Sequence, residues 1–190
     1  VDLRYEIYPS QEEMISLALF YKHFQNPIEW SYRISGSGHT YFFENALAAT
    51  NMGAEIEVKK NLQFMGLKNF AWNFNGALIK SKVRFDASSL EVDRPMQGQS
   101  SYIINSGLFY QNKNIGLNAS LLYNRIGKRI TEVGRTDKTV GASINNALPN
   151  TYEMPRDIID FTISKEVNDH LEFRIGIRDL LASKIVFKQF

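Results

Sequence analysis

Hydrophobic side chains recur at every second position along segment after segment of this chain. A period of two is the period of a β-strand, whose successive side chains point to opposite faces. Leu3, Tyr5 and Ile7 alternate with Asp2, Arg4 and Glu6, and Ile15, Leu17, Leu19 and Tyr21 with Ser16, Ala18, Phe20 and Lys22. Ala54, Ile56 and Val58 oppose Gly53, Glu55, Glu57 and Lys59, while Phe70, Trp72, Phe74 and Leu78 share a parity opposite Asn73 and Asn75. In the second half Tyr102, Ile104, Leu108 and Tyr110 oppose Asn105, Gly107 and Gln111. Ile115, Leu117, Ala119, Leu121 and Tyr123 likewise oppose Gly116, Asn118, Ser120 and Asn124. Ile159, Phe161 and Ile163, and then Leu171, Phe173, Ile175 and Ile177, complete the series against Asp160, Thr162, Ser164, Glu172, Arg174 and Arg178. The pattern predicts an all-β fold, an antiparallel up-and-down meander of about eight strands.

The connections alternate in length. Short ones carry turn residues, at Pro9-Ser10-Gln11, Asn112-Lys113-Asn114 and Asn168-Asp169-His170, with a longer one around Asn61 to Lys68. Between them lie long polar stretches, roughly Asn26 to Asn45, Arg84 to Ser101 and Gly127 to Tyr152. Short turns at one end and long loops at the other are the habit of outer-membrane barrels. Pro9, Pro27, Pro95, Pro149 and Pro155 all fall in connections or at strand starts, so none removes a donor from a ladder.

Alternation alone also marks a half-buried sheet in water. Strand length separates the two cases: Met14 to Phe24 and Ile115 to Ile126 reach the roughly 9–11 tilted residues that cross a bilayer, against about five or six in a soluble strand. Tyr8, Tyr21, Trp30, Tyr102, Tyr110 and Tyr123 fall near strand ends, where an aromatic girdle stands. A mean hydropathy of −0.27 with 13% aromatic residues suits alternating faces. The best apolar run, Met14 to Tyr21, is too short for a membrane helix. A formal charge of +2 supplies no field that would draw in nucleic acid. The absence of cysteine removes disulfides, thiolate metal sites and Cys nucleophiles together. The opening VDLRYEIYPS has neither an initiator Met nor a secretion signal, so the chain reads as a piece of a longer protein: one β-barrel segment over residues 1–190, a partial domain.

Particular words carry a resemblance. Phe20-Tyr21-Lys22 with Asn26-Pro27-Ile28-Glu29, then Asn45-Ala46 with Ala49-Thr50-Asn51-Met52-Gly53-Ala54-Glu55, resemble the late barrel strands of TonB-dependent receptors from Bacteroidetes-type bacteria. Arg94-Pro95-Met96-Gln97-Gly98-Gln99-Ser100 before Tyr102-Ile103-Ile104-Asn105, Leu122 to Ile130, Tyr152-Glu153-Met154-Pro155-Arg156-Asp157 and Asp179-Leu180-Leu181 follow in the same order. The resemblance implies a fragment of an outer-membrane transporter for nutrient uptake. Its partners are outer-membrane lipid and, in the full-length protein, its own plug domain and the TonB complex. It also places more chain after Asp179-Leu180-Leu181, so the aromatic Phe190 is not read as a terminal barrel-assembly signal. The competing reading is a soluble β-barrel or sandwich that binds a ligand, and a third is an enzymatic barrel such as a lipase.

Little in the sequence points to catalysis. His23, His39 and His170 are scattered, Gly36-Ser37-Gly38 lacks the spacing of a nucleophile elbow, and Asn118-Ala119-Ser120 is a glycosylation sequon inside a strand. Glu55 and Glu57 share a strand face, as a water-filled lumen requires. No catalytic residue, metal ligand or cofactor is assigned. Ligand-binding candidates are Trp30, Tyr32, His39 and Tyr41, whose rings and polar tips suit sugars or peptides, and the cations Arg125, Arg129 and Arg135, which with Lys128 would attract an anionic ligand or lipopolysaccharide phosphates. Leu117, Leu121, Phe173, Ile175 and Ile177 are expected to face lipid, and Asn118, Arg174 and Arg178 the lumen. An isolated fragment would hide its apolar face by closing into an inverted eight-stranded barrel or by pairing with a second copy as a homo-oligomer.

Overall fold

Long alternating strands hydrogen-bond to their neighbours in sequence, and that local rule builds nearly the whole molecule. The computed structural model describes residues 1–35, 38–87, 89, 91–134 and 148–190, with 32–35, 38 and 39 described through their backbone. The strands are β1 (Asp2–Ile7), β2 (Met14–Gln25), β3 (Ile28–Ser35), β4 (Gly38–Asn45), β5 (Ala48–Asn61), β6 (Phe70–Arg84), β7 (Tyr102–Asn112), β8 (Leu117–Ile126), β9 (Arg129–Glu132), β10 (Thr151–Glu153), β11 (Arg156–Asn168), β12 (Leu171–Ile177) and β13 (Phe187–Gln189). Eight of them form one antiparallel sheet in the order β1-β2-β5-β6-β7-β8-β11-β12. This is the expected meander, interrupted only by strands that belong to the long connections.

Register keeps each apolar set in line across the sheet. Tyr5 pairs with Leu17, Leu17 with Ile56, Leu108 with Leu121, Leu121 with Phe161, and Ile163 with Ile175. All of these stand on one face, and that face is open: Leu3, Leu78 and Ile175 are 66%, 68% and 64% exposed. The opposite face carries the polar residues and is the more enclosed, with Ser16, Ala77, Gly107 and Ser164 buried. Small residues make that enclosure possible. A Cβ on Gly53 would lie 2.4 Å from the Leu78 carbonyl and 2.6 Å from the Phe20 ring, so the Phe20 side chain lies over bare backbone.

The sheet is unclosed, with β1 and β12 as its edges; of the two arrangements expected of an isolated fragment, an inverted barrel or pairing with a second copy, the barrel does not form. Leu121, Phe173 and Ile175 stay exposed instead of entering a core. The polar face is the enclosed one, with Ser16, Ala77 and Ser164 buried, and an inverted barrel would have to enclose the other.

The short turns lie together at one end. Gln63–Met65 and Lys113–Ile115 each form a single 3-10 turn that is closed by a left-handed glycine, Gly66 (φ 82°) or Gly116 (φ 58°). Asn112 accepts the Asn114 N–H at 3.1 Å, the side-chain turn its type favours. At the other end the connections are more regular than the sequence suggests. Asn26 to Asn45, expected as a polar loop, contains the hairpin β3–β4, in register from Ile28 with Asn45 to Ser35 with Gly38. The stretch expected as a loop after Gly127 carries β9 and β10. Glu153 opposite Arg129 continues the register of Arg156 opposite Ile126, so the wall extends past the break at Met154 and Pro155. β13 pairs with β10 and completes a three-stranded extension. A small core of Ala46, Ala49, Val83 and Phe85, with Met96 against it, sits under these loops.

Candidate functional site

The β3–β4 hairpin brings the aromatic candidates onto one face by register alone. Trp30 opposes Phe43, Tyr32 opposes Tyr41 and Ile34 opposes His39, so Trp30, Tyr32, His39 and Tyr41 occupy same-face positions. The Trp30 ring is tilted against Phe43 at 4.2 Å between centroids and meets Tyr41 edge-on at 6.3 Å. Trp30, Tyr41 and Phe43 remain largely open to solvent, which leaves ring surface available for stacking.

The other face of the hairpin is locked down. Glu29 is buried and accepts a hydrogen bond from Arg94 Nη1 at 3.0 Å, and Arg94 Nη2 donates to the Trp30 carbonyl at 2.9 Å. The guanidinium lies 5.3 Å from the Phe85 ring centroid, and the Arg94 backbone bridges to Val83 of β6. Glu44 accepts hydrogen bonds from Ser31 Oγ and Ser89 Oγ, each at 3.1 Å. Nothing in the sequence flags this lock, because Glu29 and Arg94 come from separate connections and share no spacing.

Between the hairpin, the β6–β7 connection and β9 lies a cleft of about 390 Å³, lined by Glu29, Trp30, Gln97, Gly98, Arg129 and Thr131 among others. Gly98, at φ 77°, donates its N–H to the Ile130 carbonyl at 2.9 Å, and Gln97 Nε2 donates to the Thr131 carbonyl at 2.6 Å. Gln97 Oε1 is buried with no hydrogen-bond partner.

The structure divides the cationic candidates. Arg129 lines the cleft but its Nε and Nη2 both donate to Glu153 Oε2, at 3.1 and 2.8 Å. Arg125 stands on the outward apolar face, since its pairing with Asp157 continues the row pattern of Tyr123 with Ile159. There it donates to both Asp157 oxygens at 2.6 Å and to Tyr102 Oη at 3.1 Å. Arg135 lies outside the described residues, as do Gly36 and Ser37. His23, His39 and His170 belong to β2, β4 and a turn, and no group of three metal-ligating side chains occurs among the described residues.

On the enclosed face, one row of partners crosses the sheet: Ser16, Glu57, Asn75, Asn105 and Asn124. Asn124 Nδ2 donates to Asn105 Oδ1 at 2.6 Å and Asn105 Nδ2 to Asn75 Oδ1 at 3.4 Å, while Arg4 and Lys59 bracket Glu57 at 3.2 and 3.3 Å. A satisfied polar row of this kind suits the wet interior of a large barrel.

Comparison with known proteins agrees with this geometry. The family described as TonB dependent receptor-like, beta-barrel, matches residues 2–180. A mutant of the ferric enterobactin receptor from Pseudomonas aeruginosa is similar in fold, with a TM-score of 0.62 at 17% identity over 95% of this chain. The chain spans 25% of that receptor's length. No curated protein matches the sequence. With its meander of long strands, its polar inner row and a family match over nearly its whole length, the chain belongs to the TonB dependent receptor β-barrel family.

Proposed function

We propose that the chain forms part of the wall and extracellular loops of an outer-membrane receptor that takes up a nutrient ligand, of the kind found in Bacteroidetes-type bacteria. The observation that carries this reading is the pairing of an open apolar face with an enclosed polar face over strands of 10 to 15 residues. In water, Leu3, Leu78 and Ile175 would each leave about two-thirds of their surface hydrated, which counts against the soluble binding module. In lipid they are at rest. The long connections then face the outside and the short turns the periplasm.

On this reading the whole receptor supplies the remaining wall, a plug domain that meets the polar row, and a TonB partner that delivers energy. Its work is transport and not catalysis. Trp30 and Tyr41 present the stacking surface to ligand, with Tyr32 and His39 at neighbouring register positions, Arg129 contributes from the far wall of the cleft, and Arg135 remains a candidate for an anionic ligand, whereas Arg125 is held outward by Asp157. The ferric enterobactin receptor likeness makes an iron chelate one cargo to test beside sugars and peptides. The experiment measures accumulation of labelled sugars, peptides and iron chelates by cells carrying the full receptor, with and without TonB. TonB-dependent accumulation of one class, weakened by Trp30→Ala or Gln97→Ala, is expected; accumulation unaffected by loss of TonB contradicts the proposal.

A further inference from the structure

Three neighbouring strands break at one level near the mouth. β8 and β9 are separated by Gly127 and Lys128, and β11 and β10 by Met154 and Pro155, directly opposite, since Ile126 pairs with Arg156 and Arg129 with Glu153. On the third strand, ten steps lead from Ile177 to Phe187 where eight lead from Phe161 to Glu153, so two extra residues are taken up between β12 and β13. Pro155 has no N–H to give to a ladder. Asp179 (φ 50°) and Ala182 (φ 47°) hold the left-handed backbone that side chains disfavour, and Asn26 is the only other non-glycine residue to do so among the described residues. Between the second and third strands the ladder is reduced here to isolated bonds: Met154 N–H to the Val186 carbonyl at 2.9 Å, Leu180 N–H to the Ile159 carbonyl at 2.8 Å, and the Ser183 hydroxyl to the Asp157 carbonyl.

Beyond the line of breaks the three short strands are bound tightly to one another. The Tyr152 and Phe190 rings stack at 5.0 Å, with the Lys128 ammonium 4.6 Å from both centroids. Arg129 Nη2 donates to Glu153, Thr131 Oγ1 to the Thr151 carbonyl and Gln189 Nε2 to Thr151 Oγ1. Among the described residues two hydrogen bonds join this unit to the β6–β7 connection, from Gly98 N–H to the Ile130 carbonyl and from Gln97 Nε2 to the Thr131 carbonyl. The unit also stands between two clefts. Arg129 and Ile130 border both the cleft of about 390 Å³ at Trp30 and another of about 220 Å³ beside Ile79, Ser81 and Ser100.

A stiff unit on a line of breaks, held at its far side by two hydrogen bonds, is built as a hinged flap. We propose that β9, β10 and β13 swing as one body about Gly127-Lys128, Met154-Pro155 and residues 178–186, with Gln97 and Gly98 as the latch, and so open and close the cleft at Trp30. Movement away from Gln97 widens that cleft, since Arg129, Ile130 and Thr131 form one of its walls. The smaller cleft gives the flap room to move. Burial of Ile130, which is 1% exposed, keeps the latched position dominant. The role of the cleft rests on the uptake reading above, but the swing belongs to the fold and is read without cargo, so the two fail separately.

Amide hydrogen exchange in the full receptor in detergent distinguishes a swing from unravelling. The Gly98 N–H, whose partner sits on the flap, should exchange faster than the amides paired between β9 and β10, because a swing breaks the first and keeps the second. Gln97→Ala removes one of the two latch bonds. It should speed exchange at Gly98 by about three- to tenfold, after correction for the changed neighbouring side chain, and leave β8 and the β9–β10 amides as they were. Gln99→Ala, whose side chain meets Asn51 and Ser100 and not the flap, should leave Gly98 unchanged. Spin labels on the exposed positions Arg84, Glu132 and Lys188 check the motion independently: in Gln97→Ala the distances from Arg84→Cys to Glu132→Cys and to Lys188→Cys should broaden together. Gly98 exchanging no faster than the β9–β10 amides in the unaltered receptor overturns the proposal even if the variant fails to assemble. Acceleration of the β9–β10 amides along with Gly98 overturns it in favour of local unfolding, and a distance that changes at Glu132 but not at Lys188 shows that the flap is not one body.

Discussion

Replacing Arg94 by Met should release the β3–β4 hairpin from the rest of the loops. The Arg94 side chain is 3% exposed and that of Glu29 7%, so removing the cation leaves a carboxylate buried without its counter-charge. Breaking one partner of a buried pair costs about 3–5 kcal/mol. The substitution also removes the donor to the Trp30 carbonyl at 2.9 Å and the stacking on Phe85. Since each ~1.4 kcal/mol is tenfold in an opening equilibrium, amide hydrogen exchange across residues 28–45 should accelerate by between about a hundredfold and a few thousandfold. Adding Glu29→Gln to Arg94→Met removes the stranded charge and should recover part of the loss, leaving about 1–3 kcal/mol for the unsatisfied polar groups. Exchange in the full receptor in detergent reads this locally. Unchanged protection in the single variant, or a double variant less protected than the single one, would refute the assignment of Arg94 as the lock.

Ile175→Arg should destabilise the membrane-inserted barrel by about 2–4 kcal/mol if it lies near mid-bilayer, whereas Arg174→Gln should change urea unfolding in bilayers by less than about 0.5 kcal/mol. Gly53→Ala should cost about 1–3 kcal/mol in the same assay, because the new Cβ meets both the Leu78 carbonyl and the Phe20 ring. At the turn end, Lys60 holds the Glu13 carboxyl below its ordinary range through a 2.7 Å contact, helped by the Asn61 N–H. A lowered folded pKa gives stability that is complete above the ordinary glutamate value of about 4.3 and is lost as pH falls through the folded value. Exchange at residues 9–13 should therefore rise on acidification, and Glu13→Gln should flatten that dependence.

Most of the wall was legible because parity is a property of the sequence itself. Leu17, Leu121 and Ile175 fall on the open face, as alternation requires, and the turn at Asn112-Lys113-Asn114 closes as its residues dictate. The β3–β4 hairpin was legible in part: Trp30, Tyr32 and Ile34 alternate as strand residues do, but polar neighbours and Gly36-Ser37-Gly38 suggest a loop. Arg125 was placeable by the same parity as Leu121 and Tyr123, yet its charge suggests a rim position; Asp157 and Tyr102 let it stand outward. The Glu29–Arg94 lock had no sequence signature, since contacts between separate connections depend on how loops fold over one another. Whether the sheet closes was not legible, because alternation fixes which residues share a face and says nothing of how the two edges are met.

On the orientation proposed above, one face of this wall meets lipid and the other meets the lumen. The chain has no cysteine, so single cysteines at successive positions from 172 to 177 can each carry a fluorophore in the full receptor, placed in bilayers that contain brominated lipid. Quenching should alternate with a period of two, strong at Phe173, Ile175 and Ile177 and weak at Glu172, Arg174 and Gly176. Uniform quenching, or alternation in the opposite phase, would contradict the account.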